Sequence, residues 1–523
     1  MASFSRGLGE QLMSAVRPVK LPEVPEGARI NVHAAVSRFS LLYERIRNAV
    51  DYKDDHLLRK AAITRILNRQ LILERNPDAI ARHLVRELIA ARYLPNGELS
   101  ESIADDVAVR IRKYLAVERC RVGSNAHIAW LRGVLSAEIE ELLVDATQQK
   151  ALVTFLYERL ADRVKVTGAE MSETDLRLQV YIACYRTLLK ADDEVLGYKL
   201  LRAYMPEWLR PSEWIERPQA VAERLVGVER RVRLSLTHPL ASKFQRTVKP
   251  WAVALNILRD VLAENVDEAG VLLEKPEAMH AAVTRIAEKR YEEAKTRLRR
   301  GAARATVYLL ITKMLLAFAI EVPLEYLWYQ HVAIPALVIN LLFPPTLMFF
   351  VGLLIHVPGK DNTARLQANV DLLLSAQGVP MREIRVPRKH SFAGSFLLQL
   401  AYAFLFVVIF GGIGLMLIAL HFTWVSALIF LFFLCVVSFF AFRLRMNARE
   451  YVIVEGKDTL GSLFMDFVSL PILRAGRLLS RGISRLNVFL FFFDFLFEAP
   501  FKMFLTVLEE WFAFIKEKRE ELQ

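Results

Sequence analysis

Cysteine is scarce in this chain. The three cysteines of the 523-residue sequence, Cys120, Cys184 and Cys435, stand far apart and form neither a CxxC pair nor a metal-ligand spacing. This excludes a disulfide scaffold, and buried thiols in a reducing compartment are the expected state. No Asn-x-Ser/Thr glycosylation site occurs, which agrees with little exported surface.

Motifs of the common catalytic and nucleotide-binding sites are also missing. There is no GxxxxGK[ST] phosphate loop, no GxGxxG after a strand, no HExxH zinc motif and no GxSxG nucleophile elbow. The GK pair in VEGKDT, residues 454–459, lacks the glycine that a phosphate loop needs five residues earlier. We therefore expect no cofactor, no metal ion and no enzymatic activity, and an enzyme without recognisable catalytic residues stays an alternative.

The amino terminus lacks the apolar core of about 7–15 residues that a secretory signal requires. Phe4, Leu8, Leu12 and Val16 recur at helical spacing, so an amphipathic contact helix or an organelle presequence is an alternative. The composition favours a flexible tail over residues 1–27.

Apolar residues, in contrast, are abundant, and charge is unevenly placed. Hydrophobic residues make up 54% of the chain and phenylalanine alone occurs 32 times, more than a soluble domain of this length usually carries. Charged residues crowd the first 304 positions and become sparse after them. The net charge of +12 suits an anionic partner such as lipid headgroups, nucleic acid or acidic protein.

Residues 28–304 have the pattern of successive amphipathic helices and form the predicted cytoplasmic domain. In NPDAIARHLVRELIAARYLPNGE, Asn76 is placed to cap a helix that starts at Pro77, and apolar residues then recur on one face. No segment sustains a period of two, so a sheet is not expected. The VKVTGAEMSE segment, 164–173, marks a seam within this domain.

Four apolar runs are long enough to cross a membrane, since about 20 helical residues span the hydrocarbon core. The spans are predicted at 305–328, 332–356, 393–420 and 423–442, with a cytoplasmic loop at 357–392. The predicted fold class is therefore all-α: a polytopic α-helical membrane protein with a transmembrane domain at 305–442.

Basic residues flank the spans on one side only. They precede the first span, separate the second from the third and follow the fourth, whereas the short connections at 328–333 and 421–424 carry neither lysine nor arginine. The positive-inside rule then places both termini on the cytoplasmic side of the inner membrane. Four arginines before the first span are expected to contact anionic headgroups rather than nucleic acid: Arg297, Arg299, Arg300 and Arg304.

Three charged residues lie inside the first predicted span. Lys313 lies about 12 Å along the helix from Ala305, and Glu321 and Glu325 approach the far end. One interpretation is that these side chains snorkel toward the headgroups. The other is that they face a polar path between helices, because intramembrane charges are costly and often functional. The candidate polar site comprises Lys313, Glu321, Glu325 and Gln399.

Two short motifs are candidate hinges. FPPT, residues 343–346, is expected to bend or break the second span, since consecutive prolines remove backbone donors. GGIG, residues 411–414, permits close helix approach or a flexible point in the third span. Both motifs suit transporters and structural bundles alike. The candidate hinge residues are Pro344, Pro345, Gly411, Gly412 and Gly414.

The last segment, 443–523, is predicted to be an amphipathic, phenylalanine-rich tail on the cytoplasmic interface. Ten phenylalanines occur between residues 489 and 514, together with a polar stripe. We expect this part to be interfacial or packed on the bundle, with a fifth crossing over 487–508 as the alternative. The preceding arginines recur on one helical face, as in helices that lie on anionic membranes: Arg474, Arg477, Arg481 and Arg485.

These features favour a membrane anchor or scaffold whose cytoplasmic domain binds a protein partner, while the spans and the tail hold it against anionic lipid. The first alternative is a transporter or channel for ions or small solutes that uses Lys313, Glu321 and the broken helices. The second is a lipid-handling or membrane-shaping protein. The residues leave the ligand and the oligomeric state open.

Overall fold

The computed structural model describes most of the chain. The described residues are 12–13, 16, 29–47, 55–144, 146–168, 170–264, 269–331, 333–353, 359–386, 392–448, 450–453, 460–485, and the single positions 500, 504, 507, 511, 514 and 515. Within them the chain is helical apart from one short pair of strands and an isolated bridge, so the all-α class is confirmed.

The chain divides into two compact units. The amino-terminal unit comprises Met1–Val283, Gln367–Val386 and Phe497–Gln523, and the span unit comprises Thr284–Leu366 and Pro387–Leu496. Helices of the amino-terminal unit are α1 Ala34–Arg47, α2 Asp55–Leu73, α3 Pro77–Ala90, α4 Ser102–Arg119, α5 Asn125–Leu143, α6 Thr147–Leu160, α7 Glu173–Leu188, α8 Asp193–Tyr204, α9 Gln219–Leu236, α10 Ala241–Glu264 and α11 Ala269–Glu274.

Helix α3 forms as its sequence predicts. The Asn76 side chain accepts a hydrogen bond from the backbone N–H of Asp78 at 3.0 Å, and Pro77 occupies the first helical turn, where no donor is needed. Ile80, Leu84 and Leu88 are fully buried. The cap and the apolar stripe thus direct one face of the helix into the core.

A buried ion pair lies inside this core. Lys113 and Glu138 are both almost fully buried, with 2.5 Å between Nζ and Oε1. Tyr114 Oη and Trp208 Nε1 donate to the other carboxylate oxygen at 3.0 and 3.2 Å, and Lys113 Nζ also reaches the Trp208 carbonyl oxygen. Burial lowers the pKa of Lys113, although the charge of Glu138 opposes that shift.

The segment between the second and third spans is not the simple loop that we expected. It forms α15, Lys360–Leu374, and strand β2, Arg382–Arg385, which pairs in parallel with β1, Val164–Thr167. Strands of four residues are too short to sustain a period of two, so they were not predicted from the sequence. Arg159 donates to the carbonyl oxygens of Leu372 and Ser375 at 3.1 and 2.6 Å.

The structure describes most of the proposed seam at 164–173 and three positions of the tail at 1–27, namely 12, 13 and 16. Strand β1 lies within the seam, and its flanking helices belong to the same compact unit. Of the tail, the described positions are helical, and Leu12 and Val16 are buried rather than free.

Four helical segments are long and apolar enough to cross a membrane, as predicted: Pro276–Tyr329, Ile334–Leu353, Phe396–Ala419 and Trp424–Met446. The first begins at Pro276 as one helix that carries the basic residues into the apolar run. The elements are α12 Pro276–Leu316, a π-helical turn Ala317–Glu321, α13 Val322–Tyr329, α14 Ile334–Leu353, α16 Phe392–Ala419, α17 Trp424–Ala448 and α18 Leu460–Arg485.

Helix α17 lies at the centre of the span unit. It packs against the π turn, α14 and α18, whereas α16 packs on α18. A Cβ added at Gly352 of α14 would collide with the Ala302 side chain of α12, so these two helices also touch closely.

Neither candidate hinge interrupts its helix. Pro344 and Pro345 are buried within the continuous helix α14, so of the two expected effects, a bend or a break, the break does not occur. Of the two alternatives for the GGIG motif, close helix approach is not seen among the described residues, where a Cβ at Gly411, Gly412 or Gly414 would meet open space, and a flexible point stays a prediction. All three glycines lie inside α16.

Helix α18 packs against another helix of the same chain and also has a basic face. A Cβ at Gly476 would collide with the carbonyl oxygen of Cys435, near the middle of the Trp424–Met446 segment. The Arg474 guanidinium lies 4.7 Å from the ring centre of Tyr402 on α16. The prediction of a helix here is confirmed, but it packs along α17 instead of resting only on a surface. Except for single positions from 500 onward, the phenylalanine-rich segment lies outside the described residues.

Candidate functional site

A buried stripe runs along the first span. Lys313, Glu321 and Glu325 are each 0% exposed and Ala317 is 4% exposed. Positions four apart drift by about 40° per step in a regular α-helix, so such a stripe would normally wind off the face. The π turn at Ala317–Glu321 places more residues in one turn and offsets this drift. It therefore holds the charged residues toward the same neighbours.

Lys313 and Glu321 form an incomplete ion pair. The distance from Nζ to Oε2 is 3.7 Å, and the ammonium lies 4.3 Å from the ring centre of Phe433. Among the described residues, neither Lys313 Nζ nor Glu321 Oε2 has a hydrogen-bond partner. The snorkelling interpretation is therefore wrong for these side chains, because both point into the bundle and away from its surface.

Glu321 and Glu325 share a polar environment supplied by two other helices. Ser426 Oγ lies 2.7 Å from Glu321 Oε1 and 2.6 Å from Glu325 Oε1. Thr423 Oγ1 lies 2.6 Å from Glu325 Oε1. Asn340 Nδ2 donates to Glu321 Oε1 and to the Ser426 carbonyl oxygen. One hydroxyl thus bridges two buried carboxyl groups.

These groups form a continuous polar file. The backbone N–H of Ala333, in the connection between α13 and α14, donates to Glu325 Oε2 at 3.2 Å. From Glu325 the file continues through Ser426 and Glu321 to Lys313. Trp328 and Trp424 pair at 4.7 Å between ring centres, close to where the file begins. The file therefore runs from the end of the spans that lacks basic residues into their interior.

Three members of this cluster, Lys313, Glu321 and Glu325, are predicted from the sequence, and three are not. Asn340, Thr423 and Ser426 are not predicted as site residues, because a single amide or hydroxyl in an apolar run is common in membrane helices. Gln399, which we had included in the candidate site, is exposed on α16 and does not join the cluster.

The predicted lipid-contacting arginines lie mostly on the surface. Arg297 pairs with Glu450 at 3.3 Å, and Arg299, Arg300 and Arg304 are exposed on α12. Arg474 and Arg477 are exposed on α18. The side chains of Arg481 and Arg485 lie outside the described residues.

A cavity of about 300 Å³ lies in the amino-terminal unit beside the ends of α2 and α4. Four arginines line it, but the carboxyl-terminal ends of these helices carry partial negative charge, which offsets the arginines. Two glutamates offset them further. This makes the cavity a weaker candidate than the buried file. Its lining residues are Leu71, Glu74, Arg75, Leu115, Glu118, Arg119, Arg121 and Arg132.

Comparison with known proteins identifies no relative whose function could be compared with that of this chain. No family model matches the chain, and no curated protein or solved structure is detectably similar to it. Any function must therefore be argued from the side chains themselves.

Chemically, the buried file combines groups that donate and groups that accept hydrogen bonds. It contains two carboxyl groups, one ammonium group, two hydroxyls and an amide, all within an otherwise apolar bundle. Among the described residues, three of its buried polar atoms have no hydrogen-bond partner, which we call open valences: Lys313 Nζ, Glu321 Oε2 and Asn340 Oδ1. Buried polar groups are normally satisfied, so open valences at the end of a file suggest a place where a small partner binds.

Proposed function

We propose that this chain is a membrane transport protein that moves an ion or a small solute through the polar file of the span unit. The observation that carries the proposal is the burial of Lys313, Glu321 and Glu325 together, with valences left unsatisfied. Ionisable groups at this depth are expensive and commonly mark ion pathways.

The proposed setting is the inner membrane, with both termini in the cytoplasm. The support is the charge pattern: the ends of the spans near Trp328 and Trp424 carry no lysine or arginine in their connections. The exposed Arg299, Arg300 and Arg304 support contact with anionic headgroups at the opposite end. The polar file then begins on the outer side of the membrane.

A purely structural role is the competing explanation for the file. Interhelical hydrogen bonds in membrane proteins stabilise by only about 0.6 kcal/mol on average, which does not repay the burial of three ionisable groups. A structural cluster would also be expected to satisfy its own donors and acceptors. The open valences therefore favour transport.

Reconstitution of the full chain into liposomes tests the proposal. Gradients of H⁺, Na⁺, K⁺ and Cl⁻ are imposed one at a time, and a voltage-sensitive dye follows the movement of charge. We expect one gradient to be dissipated by the wild-type protein, and the flux to be lost in Lys313→Met and Glu321→Gln.

Gln399→Leu is the matched control, because Gln399 lies on a span but outside the file. It should retain the wild-type flux. If wild-type vesicles are as tight to every ion as protein-free vesicles, or if Glu321→Gln conducts like the wild type, the file is not a transport path.

A scaffold role remains the second candidate and has its own support. Ile72 and Leu73, at the end of α2, are 77% and 73% exposed, which is unusual for two adjacent apolar residues in a well-packed unit. We propose that this pair contributes to contact with a protein partner. The full chain, crosslinked in membranes, should lose a defined protein adduct in Ile72→Glu/Leu73→Glu and keep it in Glu321→Gln.

A further inference from the structure

We infer that the species carried at the polar file is a proton, shared between Glu321 and Glu325 through the hydroxyl of Ser426. The inference rests on the proposed transport function but names its ion. It depends on two separate counts, of hydrogens and of charges.

The first count concerns hydrogens. Three oxygen–oxygen contacts of 2.6–2.7 Å join the side chains of the file: Ser426 to Glu321, Ser426 to Glu325, and Thr423 to Glu325. Each contact at that distance needs a hydrogen between its two oxygens. The hydroxyls of Ser426 and Thr423 supply two hydrogens. The third must come from a carboxyl group, so one of the two glutamates is protonated.

The second count concerns charge. The π turn, α13, α14 and α17 surround the file, and the buried titratable groups on these elements and on the adjoining end of α12 are Lys313, Glu321 and Glu325, with the Cys435 thiol further along α17. With both carboxylates ionised the cluster would carry a net negative charge in an apolar bundle. With one proton shared between them, Lys313 balances the remaining carboxylate. Electroneutrality therefore requires the same single proton as the hydrogen count.

The bridging hydroxyl gives this proton a way to move. Glu325 passes its proton from Oε1 to Ser426 Oγ, while the original hydroxyl proton of Ser426 passes to Glu321 Oε1. One O–H bond forms and one breaks at Ser426, which ends as a neutral hydroxyl. The result is an ionised Glu325 and a protonated Glu321. The proton has then moved one step from the Trp328 end toward Lys313, whose ammonium stabilises the carboxylate whenever Glu321 is ionised.

Infrared spectroscopy of the full chain in liposomes tests the shared proton directly. We expect a C=O stretching band of a protonated carboxyl group at neutral pH, which shifts in D₂O and is lost in the Glu321→Gln/Glu325→Gln double variant. If the wild type and the double variant have the same carboxyl band at neutral pH, both glutamates are ionised and the inference fails.

Proton flux tests the bridge. With a pH-sensitive dye inside the vesicles and an imposed potassium diffusion potential, we expect Ser426→Ala to reduce proton flux to the level of protein-free vesicles. Ser426→Thr, which keeps the hydroxyl, should restore it. Ser438→Ala removes another serine of α17 that is not part of the file, and should conduct like the wild type. Wild-type proton flux in Ser426→Ala would overturn the bridging role.

The two proposals fail in different ways. Flux of Na⁺, K⁺ or Cl⁻ without H⁺, abolished by Glu321→Gln, overturns the proton inference and leaves transport standing. A protonated carboxyl band that depends on the two glutamates, without flux of any ion, overturns the transport function and leaves the shared proton in place.

Discussion

Each of the two units buries a lysine–glutamate ion pair, but the two pairs differ in the hydrogen bonds that they make. In the amino-terminal unit, Lys113 pairs with a Glu138 carboxylate whose two oxygens both accept hydrogen bonds, and the Trp208 ring centre lies 4.6 Å from the ammonium. In the span unit, Lys313 is equally buried but makes no hydrogen bond within the described residues. We call the Lys113–Glu138 pair closed because its groups are hydrogen-bonded. We call the Lys313–Glu321 pair open because Lys313 Nζ and Glu321 Oε2 have no hydrogen-bond partner among the described residues.

Burial is therefore common to both pairs, and the hydrogen bonds that they make distinguish them. Removing one partner of a buried, hydrogen-bonded pair leaves an uncompensated charge and is strongly destabilising. A pair with open valences gives up stability at that position, and such a loss is expected where a group must change its partner. The comparison therefore predicts that similar substitutions will have different effects in the two units.

The largest effect is expected from Glu138→Ala in the closed pair. It leaves Lys113 buried without a counter-ion, which typically costs about 3–5 kcal/mol of folding free energy. Chemical denaturation of the full chain in detergent, followed by tryptophan fluorescence, measures the loss. The exposed Glu216→Ala should stay within about 0.5 kcal/mol of the wild type. A loss below about 1 kcal/mol for Glu138→Ala would remove the distinction between the two pairs.

Two glycines of the span unit sharpen the comparison between packed and open surfaces. Gly476→Ala forces a methyl group against the Cys435 carbonyl oxygen, and overpacking of this kind costs about 1–3 kcal/mol. Gly411→Ala meets open space and gains helix propensity of up to about 1 kcal/mol. Thermal unfolding in detergent should therefore lower the midpoint for Gly476→Ala and not for Gly411→Ala. Equal midpoints would mean that α18 does not pack tightly on α17.

A smaller effect is expected from Lys313→Met in the open pair. This change breaks no hydrogen bond within the described residues, and the carboxyl group left behind can take up a proton and become neutral, so we expect a loss below about 3 kcal/mol, the least that is expected for Glu138→Ala. Lys113→Met, measured in the same way, deprives Glu138 of a donor and should cost more. If the two substitutions cost the same, the ammonium of Lys313 has an unseen structural partner.

The smallest effect is expected from acidification. Burial alone would raise the pKa of Glu141, but the charge of Lys199 and hydrogen bonds from Lys150 and Lys199 bring it below the ordinary value of 4.5. Its contribution to stability is therefore present above that pH and lost as the pH falls through the lowered pKa. The difference in unfolding midpoint between wild type and Glu141→Gln should shrink on acidification. A difference that grows instead would contradict the direction of the shift.

Local patterns predicted the helices well because neighbouring residues alone determine a helix cap or an apolar run. Asn76 caps α3, and the four predicted apolar runs lie in the four helical segments long enough to cross a membrane. The sequence also predicts Lys313, Glu321 and Glu325 as members of the candidate polar site.

What the sequence did not predict depends on contacts between distant residues. Periodicity does not distinguish a π turn from an α-helix, and Asn340 and Ser426 join the file only because α14 and α17 pack on it. The snorkelling interpretation of Lys313 failed for the same reason: whether a long side chain reaches the headgroups depends on which neighbour covers it. The pairing of β1 with β2 joins residues 218 positions apart, from 164 to 382, which no local signal reveals.

That pairing has a consequence for biosynthesis. Because β2 follows the second span along the chain, the ribosome delivers it long after β1 has emerged. Val164 and the guanidinium of Arg159 therefore lack their partners until the two apolar helical segments that lie between β1 and β2 in the chain have been synthesised. Completion of this unit thereby depends on synthesis of the chain through residue 386, and a chain that stops before that point leaves β1 without its partner strand.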